Sequence, residues 1–122
     1  MVSRSGPPGW PTQVPPPGAA DWVDGAVLWL LDHSPPEYRD HGLLRRQPVL
    51  LAWLTARQVD AGLEATRQAY RSLRRERADL GPEVLAETLI VLEAEGARLL
   101  SLQRAVHLVA DALAGQRYVP RL

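Results

Sequence analysis

The Gly81-Pro82 dipeptide constrains this fold most, because it interrupts a long stretch that otherwise predicts continuous helix. Pro82 is the only proline between residues 49 and 119 of the 122-residue chain. Glycine commonly ends a helix, and proline fits the first helical position because no backbone hydrogen bond is lost there. The dipeptide therefore predicts two helices, over about 48–80 and 82–114, with a connection so short that they must run antiparallel.

Both predicted long helices carry apolar or small residues at alternating spacings of four and three, which is typical of a coiled-coil seam. In the first helix, the seam residues are Ala52, Ala56, Val59, Leu63, Thr66, Tyr70, Leu73 and Leu80. In the second helix, they are Leu85, Leu89, Leu92, Gly96, Leu99, Gln103, Val106, Ala110 and Leu113. The predicted fold class is all-α, with a long antiparallel, coiled-coil-like helical hairpin.

The position of the turn also predicts a register. Residues whose numbers add up to about 162 should face each other across the helix pair. This register places Gly96 opposite Thr66, inside the predicted interface. Because glycine in a helix interior costs about 1 kcal/mol relative to alanine, we expect Gly96 to permit close approach of the two backbones.

The first 20 residues differ sharply from the rest, since six of the 11 prolines lie within residues 1–17. Each proline removes a backbone donor and favours extended conformations in the residue before it. Residues 1–20 are therefore predicted to form an extended, polyproline-II-like arm. Two interpretations stay open: an arm that lies on the chain's own helices or is simply a disordered leader, which we favour, or a peptide that docks on another protein.

Two short helices are predicted between the arm and the hairpin, packed on its open end. Asp21 is a candidate N-cap for a helix over about 21–32 that is apolar on nearly every side and must be buried. Ser34-Pro35-Pro36-Glu37 has the pattern of a capping box and predicts a second helix over about 35–41. Gly42 is expected to end this helix, and residues 43–47 to form a connector. Residues 21–122 then make up a single helical domain.

Composition excludes several classes of protein. The chain has no cysteine, so a disulfide framework, a thiolate zinc site and a cysteine nucleophile are all excluded. Fourteen basic residues balance 14 acidic ones, so no overall field favours nucleic acid or an anionic membrane. The longest apolar run, at 22–31, is about half the length of a membrane span. We expect a cytoplasmic protein with no cofactor and no membrane association.

No combination of side chains in the sequence indicates catalysis. His33, Glu37 and His41 have the four-residue spacing of metal ligands on one helical face. However, Ser34 is the expected N-cap, so His33 lies outside the helix, and Glu37 is already used in the capping box. No nucleophile, base and orienting group can be assembled elsewhere. We therefore predict no catalytic residue, no metal ligand and no enzymatic activity.

The densest basic run lies between Arg67 and Arg77. Its arginines at i, i+4, i+7 and i+8 share one side of the predicted helix: Arg67, Arg71, Arg74 and Arg75. One interpretation is a stripe that contacts phosphates and makes the protein a small nucleic-acid-associated regulator. The other is a solvated face that forms ion pairs with Glu83 and Glu87 across the hairpin. The overall neutrality of the chain favours the second interpretation.

The second long helix carries more apolar residues than one partner helix can cover, because residues 89–92 are apolar right around the helix. The candidate interface residues are Leu89, Ile90, Val91, Leu92, Leu99 and Leu102. An uncovered apolar stripe usually marks an interface. We therefore predict a non-enzymatic protein–protein interaction, adaptor or regulatory module that forms a homodimer, with an unidentified protein as a further partner.

Three segments also suggest a family resemblance. They are GWPTQVPPPG at 9–18, LLDHSPPEYRDHGLLRRQPV at 30–49 and RYVPRL at 117–122. With these segments the chain resembles small uncharacterised helical proteins of high-GC actinobacteria. The resemblance spans most of the chain, but it implies no activity and identifies no functional residues.

Overall fold

A computed structural model of the chain describes residues 6–118 and, within them, the side chains of residues 6–115. The elements are α1 (Trp22–Asp32), a 3₁₀ helix (Pro36–Asp40), α2 (Gly42–Arg46), α3 (Pro48–Glu76) and α4 (Pro82–Tyr118). The predicted all-helical class and the long, closely packed helix pair are confirmed. Residues 1–5 of the predicted arm and 119–122 of the predicted domain lie outside the described residues.

Helices α3 and α4 pack against each other and run in opposite directions. The Asp60 side chain accepts a hydrogen bond from Gln103, and Tyr70 lies beside Glu93, so residue numbers fall along α4 as they rise along α3. These pairs agree with the predicted register to within one or two residues. Five residues at 77–81 connect the helices, and in this turn the guanidinium of Arg77 donates two hydrogen bonds to the Asp79 carboxylate.

Three predicted boundaries were wrong. Helix α3 ends at Glu76 rather than near residue 80, and α4 continues past Gly115 to Tyr118. Gly42 begins α2 instead of ending the previous helix, so the predicted connector at 43–47 is largely helical. Glycine ends a helix when it adopts a positive φ, and neither Gly42 nor Gly115 does so.

The predicted capping box does not form. The Ser34 hydroxyl contacts the Leu30 carbonyl oxygen at 2.7 Å and the Thr55 hydroxyl at 2.8 Å, and it caps no helix. Thr55 is fully buried on α3, and its hydroxyl also contacts the Leu51 carbonyl oxygen. The Leu51 carbonyl oxygen already gives the buried Thr55 hydroxyl a partner, so its contact with Ser34 is a second one. This second contact ties the end of α1 to α3.

Residues 6–20 form a succession of turns rather than the extended arm that the prolines predicted. The Trp10 amide donates to Pro7, the Val14 amide to Pro11 and the Ala19 amide to Pro16. These turns fold the segment back, so that Trp10 and Val14 are buried in the core. The Trp10 indole also donates to the Val14 carbonyl and lies 6.0 Å from the Trp22 ring, centre to centre. Covering such large apolar side chains outweighs the extended preference of the prolines.

The hydrophobic core occupies one end of the helix pair, which we call the base. There, the turns of the arm and α1 cover α3 up to Val59 and α4 from Ala105 onward. Beyond the base, residues 60–76 of α3 and 82–101 of α4 form a two-helix projection, here called the distal segment. Its three buried large apolar residues are Leu63, Leu89 and Leu99. This segment extends about 25 Å past the core.

Gly96 lies inside α4, as expected, but the predicted close approach of the backbones there was wrong. A Cβ atom built on Gly96 meets no atom within 4 Å outside its own helix turn. Gly96 and Thr66 instead line an open groove between the helices. The helix glycine therefore has no packing requirement that alanine would violate.

We expect Gly96→Ala to raise the free energy of unfolding by about 0.5–1 kcal/mol, because alanine loses less backbone entropy on folding. Chemical denaturation monitored by circular dichroism measures this change. Gly18→Ala is the matched control: its Cβ also has open space, but the φ of Gly18 is +97°, so this substitution should destabilise the protein. Destabilisation by Gly96→Ala would contradict the open geometry.

Candidate interaction surface

The structure divides the six predicted interface residues into two groups. Leu89 and Leu99 are 6% and 8% exposed, and Leu92 and Leu102 are half-buried, so these four leucines pack within the chain. Ile90 and Val91 are 67% and 64% exposed. The exposed part of the predicted interface is therefore these two adjacent residues on distal α4.

Sequence reasoning missed a third exposed apolar residue on distal α4. Val84 lies seven residues before Val91 and is 48% exposed. A separation of seven residues places both valines on the same side of the helix, and this spacing was the available signal. Ile90 projects in a different direction, since consecutive helical residues differ by about 100°. Distal α4 thus presents apolar side chains on two separate faces.

The four arginines of the predicted basic stripe are all exposed on α3. Arg71 contacts Glu64 at 3.4 Å and Arg75 contacts Glu76 at 3.6 Å, both within the same helix. Among side chains 6–115, no ion pair joins these arginines to Glu83 or Glu87, so the predicted pairing across the hairpin was wrong. Arg71 and Arg75 contact acidic residues of their own helix instead, and α3 ends at Glu76, before the turn.

A groove of about 350 Å³ runs between α3 and α4 on the side where these arginines lie. Leu63, Leu92, Leu100 and Gly96 line it, and Arg67 and Arg71 lie along one edge. Across the groove, the Tyr70 hydroxyl is 3.5 Å from a carboxylate oxygen of Glu93. This face of the distal segment therefore combines an apolar floor with charged edges.

Polar contacts fasten the two long helices together where the base meets the distal segment. The Asp60 carboxylate accepts a 2.9 Å hydrogen bond from Gln103 and lies 3.3 Å from the His107 ring. Burial by itself would raise the pKa of Asp60, but hydrogen bonds from Gln103 and His107 and the nearby Arg57 charge outweigh it. The pKa of this carboxyl is therefore held below its ordinary value.

His33 marks the end of α1, at the same boundary on the other side of the pair. Its ring packs edge-on against Trp29 at 4.8 Å. Burial lowers the pKa of His33, the charge of Arg98 lowers it further, and Asp32 opposes both. His33 is therefore a neutral packing residue at the junction.

The spacing of His33, Glu37 and His41 does not produce a cluster of ligands. Glu37 and His41 are exposed, at the 3₁₀ helix and just after it. Within residues 6–118, no group of three or more histidine, aspartate, glutamate or cysteine side chains is placed to hold a metal ion. In the same part of the chain, no helix is both long enough and apolar enough to cross a bilayer.

Comparison with known proteins gives no relative from which a function could be transferred. No family model matches the chain. No similarity to a curated protein or to a solved structure was found. Functional inference therefore depends on the residues and geometry described above.

The pKa of His33 predicts how stability depends on pH. Because burial depresses the pKa in the folded state, the unfolded chain binds the proton more tightly, and acid favours unfolding. We expect the thermal midpoint to fall as the pH decreases through the region around 6.5, the ordinary pKa of histidine. His33→Gln should remove this component of the pH dependence, whereas His107→Gln should leave it in place. A pH profile that His33→Gln does not change would contradict the assignment.

Proposed function

We propose that this protein is a non-enzymatic protein–protein interaction module, an adaptor or regulatory protein, that acts through its distal helix pair and forms a homodimer. In this proposal the pair is a coiled-coil-like helical hairpin, held at its open end by the short N-terminal helices. The observation that carries the proposal is the exposure of Ile90 and Val91, beyond the reach of α1 and of residues 6–20 of the arm. Large apolar side chains that stay exposed are typical of an interaction surface, and these two lie on separate faces of the same helix.

Burial of these side chains would supply substantial binding free energy. Covering roughly 100 Å² of an exposed isoleucine or valine contributes about 2.5 kcal/mol. In a dimer related by a two-fold axis, each such residue contributes twice. The distal segment also lacks the covering layer that the base has, so a partner would extend the packing already present there. These features support association through this segment.

The competing proposal is a nucleic-acid-associated regulator. It is supported by the exposure of Arg67, Arg71, Arg74 and Arg75 along one helix. Against it stand the adjacent α4 residues, where Glu83, Glu87, Glu93 and Glu95 form the acidic half of the same projection. Phosphates approaching the arginines would meet these carboxylates at close range. Protein association is therefore the better-supported function.

The homodimer proposal is tested with a double variant, Ile90→Glu/Val91→Glu. We expect the wild-type protein to associate at tens to hundreds of micromolar and the variant to stay monomeric, since two carboxylates per copy cannot be buried without partners. Light scattering coupled to size-exclusion chromatography measures the mass. Leu28→Glu is the matched control, because Leu28 is 64% exposed but lies on α1 in the base. A wild-type protein that stays monomeric throughout this range would contradict self-association.

The two proposals are separated by the triple variant Arg71→Gln/Arg74→Gln/Arg75→Gln. We expect it to stay folded, with the free energy of unfolding changed by no more than about 1 kcal/mol, because exposed ion pairs are weak. Binding to duplex DNA should be weak in both wild type and variant at physiological salt. A wild-type protein that binds DNA tightly, with a steep salt dependence that the triple variant abolishes, would establish the regulator function instead.

A further inference from the structure

One face of the helix pair is covered at the base and bare in the distal segment. At the base, the segment after α1 meets α3 through the Ser34–Thr55 contact. His33 borders the same small pocket as Gln58 and Val59 of α3 and Arg98 and Leu102 of α4. We call the side of the pair that receives α1 and the arm the front face.

Residues that are seven apart share one side of a helix in a coiled-coil-like pair. The front face can therefore be traced in such steps from the base to the turn at 77–81, here called the tip. Stepping back from Arg98 on α4 leads to Val91 and then to Val84. Stepping forward from the α1-covered residues of α3 leads mainly to small residues, Gly62, Ala65, Ala69, Ser72 and Leu73, and ends at Glu76. The distal front face thus consists mostly of small residues on α3, with Glu76 at its outer end, beside two exposed valines on α4.

The groove around Gly96 and the exposed Ile90 lie on other sides of the distal segment. Arg67 and Arg71 line the groove around Gly96 on the opposite side of the pair. Ile90 projects about 100° away from Val91. The front face is therefore the side on which apolar surface is exposed away from Arg67 and Arg71, with Arg98 at its boundary with the base.

We propose that the distal front face binds the distal front face of a second copy of this chain, with the two helix pairs antiparallel about a two-fold axis. This inference rests on the proposed function and specifies its surface. The orientation follows from sterics: α1 and the arm already occupy the base of the front face in each copy. Two copies can bring their front faces together only if the two distal segments lie face to face and each tip points toward the partner's base.

The positions of the residues along the length of the helix pair, which we call their levels, locate the two-fold axis. Ala69 is midway along the distal front face of α3, between Gly62 and Glu76, and Val91 is midway between Val84 and Arg98 on α4. The observed register of the helix pair places Ala69 and Val91 at nearly the same level. The axis therefore passes close to Val91, which meets its own counterpart. Small residues on α3 allow the facing backbones to approach closely.

Charge also fits a second copy as the occupant. With Val91 on the axis, Arg98 of one copy lies at the level of Val84 of the other. Val84 is flanked by Glu83 and Glu87, which form no ion pair among the described side chains. Arg98 already contacts Glu95 of its own chain at 2.6 Å and has donors left for these carboxylates. Arg98 of one copy thus meets Glu83 of the other, whereas Glu87 lies at the level of Glu95, whose charge Arg98 already offsets within its own chain.

The area of the surface is consistent with a weak dimer. Fourteen residues of helix span about 21 Å, and two packed helices present a width of about 18–20 Å. Each copy therefore contributes about 400 Å² in flat projection, and more when the corrugation of the side chains is included. The total of about 800 Å² lies below the range of stable interfaces and in that of weak, transient ones, so it predicts association that depends on concentration.

The test compares two adjacent substitutions, Val91→Glu and Ile90→Glu. The two residues are equally exposed and lie on the same helix, but they face different sides. Sedimentation equilibrium from about 10 to 500 µM measures association, and far-ultraviolet circular dichroism checks that both variants stay helical. We expect Val91→Glu to weaken dimerisation at least tenfold and Ile90→Glu to change it less than twofold.

Each other outcome overturns the inference at a distinct point. A wild-type monomer over this range overturns both the proposed function and the surface. A wild-type dimer that Ile90→Glu disrupts, alone or together with Val91→Glu, keeps self-association but rejects the front face. A dimer that neither substitution weakens also keeps self-association and places the contact outside this part of α4.

A second measurement tests the position of the axis directly. The chain has no cysteine, so Val91→Cys introduces a single thiol. On the proposed axis, two such thiols should form an intermolecular disulfide under mild oxidation, seen as a dimer on a non-reducing gel. Ile90→Cys is the control and should stay monomeric. Efficient cross-linking through Ile90→Cys, with none through Val91→Cys, would overturn the proposed geometry.

Discussion

The difference in length between α1 and the two helices it covers is the constraint on which the rest of this structure depends. A helix of 11 residues is about 16 Å long, whereas α3, with 29 residues, reaches about 44 Å. Hydrophobic burial is limited to the surface that a covering element reaches. The core is therefore confined to the base, and within residues 6–118 the remaining length of the pair projects as two helices without a third layer.

The contacts at the end of α1 show why this helix covers only the base of the pair. The buried Thr55 hydroxyl contacts the Ser34 hydroxyl directly after α1, and the His33 ring packs beside Trp29. After these residues the chain turns away into the 3₁₀ helix and α2 instead of continuing along the pair. On the far side of the pair, Asp60, Gln103 and His107 fasten α3 to α4 at the same boundary. The distal segment is thus anchored at its root, and its outer faces are left free for association.

The same geometry explains why one apolar cluster has two roles. Residues 89–92 look uniform in sequence, yet Leu89 lies between α3 and α4 while Ile90 and Val91 face solvent. Only the side chains beyond the reach of α1 and α3 are available to a partner. Arg67 and Arg71 lie along the groove around Gly96, whereas Val84 and Val91 lie on another side of the projection. This separation favours protein association over phosphate binding as the function of the segment.

The sequence by itself determined the elements that depend on local chemistry. Gly81-Pro82 locates the turn, and the four–three spacing predicts two long helices and their register, because both follow from backbone geometry within one or two turns. Tertiary structure decided whatever depends on competition between distant groups. The Ser34 hydroxyl binds Thr55 rather than a helix end, the prolines form turns so that Trp10 can be buried, and Gly96 borders an open groove. The exposure of a side chain was also decided by the tertiary structure. Whether Val91 is covered depends on where α1 ends, and the apolar spacing within α4 does not show this.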